Sequence, residues 1–107
     1  MMAKKIIRVA VVGGSNLKVT DKWIRTVALK LEEMKADEVL VTDMGNGSAI
    51  GEKAAAKMEI PNVIMSGQKL VDRSDLCILL PGGAATRQYA KLFSGTNKKV
   101  IALEGGE

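Results

Sequence analysis

The chain has 107 residues, 47% of them hydrophobic and 26% charged, with 16 basic against 12 acidic side chains for a net charge of +4, as expected of one small globular domain. It contains no histidine and one cysteine, Cys77, which excludes a disulfide framework, a Cys/His zinc site and a Ser-His-Asp or Cys-His nucleophilic centre. The only aromatics are Trp23, Tyr89 and Phe93, too few for a base-stacking platform, and no run of basic residues exceeds two, so a small anion, or no particular partner, is favoured over nucleic acid.

The N-terminus, MMAKKIIRVAVVGG, is charged and then apolar like a signal peptide, but its apolar part is short, β-branched and runs into Gly-Gly. Residues 6–12 therefore read as a first strand, buried on both faces. Thr20 and Asp21 offer helix N-cap chemistry. Trp23, Ile24, Val27, Ala28, Leu31 and Met34 then recur at helical spacing over about fourteen residues, with charged side chains between them. Trp23 lies on the apolar face and reads as core. DEVLVTD is a second strand, and Ser48 is expected to cap a second helix running through AIGEKAAAKM. Pro61 introduces a short third strand, NVIM, followed by a short helix or turn in GQKLVDRS. DLCILLP is a fourth strand, carrying Cys77 as a buried thiol of a reduced, cytoplasmic protein. A third clear helix starts near Ala84 to Thr86, with Tyr89, Leu92 and Phe93 on one side, and KKVIAL is a fifth strand with a solvated start at Lys98 and Lys99. No stretch is long enough to span a membrane. Alternating strands and helices predict an α/β fold: a central parallel sheet of about five strands covered on both faces.

Three apolar runs open into glycine-rich turns: Gly13-Gly14-Ser15-Asn16, Gly45-Asn46-Gly47-Ser48 and Gly82-Gly83-Ala84-Ala85-Thr86-Arg87. They follow the first, second and fourth strands, so a parallel sheet places all three on one edge, where ligands bind. Glycine lets backbone approach a ligand, and the helix after Pro81 would turn free N–H groups toward an anion. Thr86 would add a hydroxyl and Arg87 a charge. Asp43 suits a ribose hydroxyl or a cap on its own turn. The first turn lacks GxxxxGK[ST], so it is no ATPase loop, and it lacks GxGxxG, so an ordinary dinucleotide site is not supported. PGGAAT is the most specific of the three.

The block SDLCILLPGGAATRQYAKLF followed by KKVIAL, with VVGGS after the first strand, resembles the SLOG superfamily, the Rossmann-like group that includes the LOG phosphoribohydrolases and the DNA-processing protein DprA. The likeness is coarse along nearly the whole chain and sharp only over residues 74–103. It implies a single Rossmann-like, three-layer domain with a phosphate-binding PGG turn and a nucleotide pocket, and a homodimer. LOG enzymes carry P-G-G-x-G-T-x-x-E and an upstream Arg-Lys pair. Here Pro81, Gly82, Gly83 and Thr86 agree, but the third glycine is Ala85, the glutamate position is Tyr89, and the Arg-Lys positions fall at about Ser66 and Gly67.

Loss of the catalytic positions with retention of the turn predicts a binder of a nucleotide or nucleotide-derived molecule, ADP-ribose-like or cyclic, acting as sensor, carrier or sponge. The alternative is a LOG-like N-glycosidic hydrolase with Asp43 or Asp21 recruited as acid or base. DprA-like contact with single-stranded DNA is the weakest reading, given the dispersed charge. No cofactor, metal or membrane partner is expected. Gly83→Val is expected to block the ligand without disturbing the fold.

Overall fold

A computed structural model describes residues 5–43 and 45–104. The elements run β1 (Arg8–Gly13), α1 (Asp21–Met34), β2 (Glu38–Val41), α2 (Asn46–Lys57), β3 (Asn62–Ile64), α3 (Gly67–Arg73), β4 (Leu76–Leu80), α4 (Ala84–Ser94) and β5 (Lys99–Ala102). The five strands are all parallel, in the order β3-β2-β1-β4-β5. This is a Rossmann-like α/β sheet whose order reverses between β1 and β4. The apolar runs become strands because crossover helices bury both faces of a parallel sheet.

Side chains alternate along each strand and feed two separate cores. Val9, Val11, Val39, Val41, Ile78 and Leu80 point to the face covered by α1 and α2, where Trp23, Val27, Leu31 and Ile50 close over them. Ala10, Val12, Leu40, Cys77 and Leu79 point to the face covered by α3 and α4, against Leu70, Val71, Tyr89 and Phe93. Trp23 is therefore a core residue, and Leu92 packs beside Tyr89 and Phe93 as its spacing predicted.

Helix α1 starts as the sequence indicates: Thr20 Oγ1 accepts from Trp23 N at 3.2 Å, and Asp21 stands in the first turn. Helix α2 does not. Its N-cap is Gly45, with no side-chain cap bond, and Ser48 lies inside the first turn, buried and hydrogen-bonded to the Thr42 hydroxyl. The helix begins earlier than expected because Gly47 and Gly51, four residues apart on one face, press against the sheet. A Cβ at Gly47 would overlap the Gly13 carbonyl oxygen, and one at Gly51 would meet Val41 Cγ1 at 2.9 Å and Val11 Cβ at 3.0 Å. The Gly-x-Gly-x-x-x-Gly spacing is thus largely a packing motif.

At the opposite edge, Asp37 and Asp75 hook the start of β1: Ile7 N donates to Asp37 Oδ2 at 2.8 Å and Arg8 N to Asp75 Oδ2 at 2.9 Å. Lys98 is not a solvated strand start. Its ammonium donates to the carbonyls of Val71 and Asp72 at the end of α3, a favourable place for a cation. Lys99 is exposed. The edge strands β3 and β5 are short, with Ile64 55% exposed. Among the described residues, no helix is long and apolar enough to cross a membrane.

Gly47→Ala should lower unfolding free energy by about 2 kcal/mol in urea titration, because overlap with backbone outweighs the helix propensity gained. Burial pushes the Cys77 thiol up to about 12. The native protein should therefore resist iodoacetamide at pH 8 and react stoichiometrically once denatured.

Candidate functional site

The turns after β1 and β4 meet through one side chain. Thr86 Oγ1 donates to Leu80 O at 2.6 Å and accepts from Gly14 N at 3.0 Å, tying the end of β4 to the turn after β1. Gly13 and Gly14 have φ of 89° and 67°, and a Cβ on Gly13 would stand 2.5 Å from Leu80 O and 2.9 Å from Thr86 Oγ1. Asn46 Nδ2 donates to Leu17 O, which brings the start of α2 to the same turn.

Beside this junction lies an open cleft of about 480 Å³ at the C-terminal edge of the sheet. Ser15 from the β1 turn, Gly45 at the start of α2, and Ala85 and Gln88 on α4 line it. Thr42 and Asp43 after β2, Ser66 and Gly67 before and in α3, and Tyr89 on α4 complete the lining. Tyr89 is 4% exposed, and its hydroxyl accepts from Gly67 N at 2.8 Å.

The helix starts on this cleft differ from that of α1. Both α2 and α4 begin at a glycine, Gly45 and Gly83, with no side-chain cap and no acidic residue in the first turn. Their positive dipole ends are left without the side-chain complement that Thr20 and Asp21 give α1. An anion at the Gly45 and Ala85 wall would supply it. Neither Gly45 nor Ala85 carries a charged side chain, so attraction there comes from backbone dipoles.

The sequence-derived site residues separate into three groups. Ser15, Asp43, Gly45 and Ala85 line the cleft. Gly13, Gly14, Asn46, Gly47, Ser48, Gly83 and Thr86 hold the turns and helix starts together. Asn16, Gly82, Ala84 and Arg87 are exposed on the same edge, outside the cleft lining. Asp43 makes no cap on α2. Asp21 heads α1, outside the cleft lining. Thr42, Ser66, Gly67, Gln88 and Tyr89 escape the sequence reading because they belong to helix positions or to strand ends without a glycine-rich signature, although Ser66, Gly67 and Tyr89 are the positions at which the chain departs from the LOG motif.

Gly83→Val is not the clean probe it seems from sequence. Gly83 has φ 99°, a conformation L side chains rarely adopt, and a Cβ there would overlap Ser15 Oγ. The bare side of Gly83 is filled by Ser15 and offers no open approach to a ligand. Among the described residues, no group of three or more His, Cys, Asp or Glu side chains could hold a metal ion.

Comparison of the chain with known protein families, with curated proteins and with solved structures gave no match.

Thr86→Val should destabilise the protein by about 2–3 kcal/mol in denaturant titration, since it leaves Gly14 N and Leu80 O without their partner. Thr86→Ser, which keeps the hydroxyl, should lose well under half of that.

Proposed function

We propose that this chain binds a nucleotide or nucleotide-derived small molecule in the cleft at the C-terminal edge of its sheet, and that it works as a sensor, carrier or sponge. The observation that carries this reading is the pair of uncapped helix N-termini, of α2 and α4, bordering one cleft beside the point where the strand order reverses. The phosphate belongs at the Gly45 and Ala85 wall. The likeness of the PGGAAT turn to SLOG domains adds to this reading, as does the ease with which a nucleoside-sized body fits about 480 Å³.

Binding is favoured over hydrolysis by the acid inventory. N-glycosidic cleavage of the LOG type, as of most glycosidases, uses a well-placed carboxylate, commonly paired with a second group. Among the described residues, Asp43 is the one carboxylate lining the cleft, and it is exposed. Asp37 and Asp75 are committed at the far edge of the sheet.

The test is native mass spectrometry of protein purified from cells, followed by thermal shift with AMP, ADP-ribose, NAD and cyclic AMP. A saturable rise in melting temperature with the ligand recovered intact is the expected result. Release of free base would instead identify the hydrolase, with Asp43 as its acid or base. Ala85→Glu provides the matching variant. A carboxylate in the first turn of α4 should hold or raise apo stability by about 0.5 kcal/mol. The same charge should abolish the ligand-induced thermal shift, because it takes the place of the phosphate.

A further inference from the structure

Tyr89 holds a hydroxyl whose hydrogen bonding is half spent. A phenol has one proton to donate and oxygen lone pairs to accept with. Gly67 N–H donates to the Tyr89 oxygen at 2.8 Å, and no described residue accepts the tyrosine's own proton. The side chain is 4% exposed, its ring packed into the core beneath α3 and α4, while the hydroxyl meets Gly67 on the wall of the cleft. A buried hydroxyl normally finds a use for its proton, and the open space beside this one is the cleft. Donation from Gly67 polarises the oxygen and strengthens the hydroxyl as a donor.

The rest of the lining states what it would face. Thr42, Asp43, Ser66 and Gly67 line the cleft with Tyr89, no lysine or arginine among the described residues lines it, and the carboxylate of Asp43 repels phosphate. Asp43 can only accept hydrogen bonds, whereas Tyr89 has a proton to give. We infer that Tyr89 reads the ligand directly: its hydroxyl donates to an uncharged acceptor, a carbonyl oxygen or ring nitrogen, on a ligand body whose own hydroxyl or amino group faces Asp43. This rests on the binding role proposed above and gives it an orientation. The anionic end lies at the α2 and α4 helix starts, and the neutral, donor-and-acceptor-bearing end lies against β2 and α3. Tyr89 then sets specificity and does not merely brace Gly67.

Tyr89 is the chain's single tyrosine, so one isotope label reports it alone. Protein carrying ¹³Cζ-tyrosine would be titrated with AMP, ADP-ribose, NAD and cyclic AMP while the tyrosine signal and the melting temperature are followed together. The expected result is a saturable shift of the tyrosine resonance that tracks the thermal shift, with affinity about tenfold weaker in Tyr89→Phe. The variant also loses the Gly67 partner, so its apo melting temperature is measured separately. The wild-type titration stands even if the variant folds poorly. A probe that raises the melting temperature, leaves the tyrosine resonance unmoved and binds Tyr89→Phe equally well would overturn the assignment to Tyr89 and leave the binding role standing. A panel that moves neither signal would overturn both.

Discussion

The Thr86 hydroxyl joins parts of the chain that are 72 residues apart, and much of the functional edge depends on it. By accepting from Gly14 N and donating to Leu80 O it fixes how far the turn after β1 stands from the end of β4. Those two strands form the centre of the sheet, paired from Val9 with Leu76 to Gly13 with Leu80. Bringing such distant segments together costs loop-closure entropy, which the ladder and both cores must offset. The hydroxyl settles the last step of that register, where strand gives way to turn. Gly13 has no room for a side chain in consequence, and Gly83 is drawn onto Ser15.

A second close approach follows from the first. With the β1 turn held in place, α2 settles until Gly47 rests on the Gly13 carbonyl and Gly51 on Val11 and Val41. The helix start is thereby pushed into the sheet edge, and Ser48 is taken inside to pair with Thr42. What remains open between α2, α3 and α4 is the cleft. Its polar character is a by-product of where backbone ends meet: the starts of α2, α3 and α4 and the end of β2 all border it.

The sequence made the fold legible because the apolar runs were short, β-branched and closed by glycine, and because α1 announced itself through Thr20 and a clean apolar face. Elements α3 and β3 were legible only as short punctuation around Pro61 and Gly67. The site was legible as an edge but less so as a set of contacts. Glycine in a turn signals that something comes close, yet Gly47 and Gly83 make room for neighbouring backbone or side chains of the same chain. Thr86 reads as a ligand hydroxyl until its two partners are seen. Lys98 reads as solvated because the α3 carbonyls it caps lie more than twenty residues away. Tertiary partners of this kind leave no periodic trace, which is why neither the start of α2 nor the part that Ser66, Gly67, Gln88 and Tyr89 play in the cleft could be read from the sequence.

The partition of the core into two layers has an optical consequence. The single tryptophan, Trp23, is buried under α1 and α2, and the single tyrosine, Tyr89, is buried under α3 and α4. Each face of the sheet therefore carries its own chromophore. Indole emission follows dissolution of one layer, and phenol absorbance near the edge of the spectrum follows the other. Whether the two faces come apart as a single cooperative unit, or one helix pair peels from the sheet before the other, is written in the natural sequence as the coincidence or separation of two spectroscopic transitions.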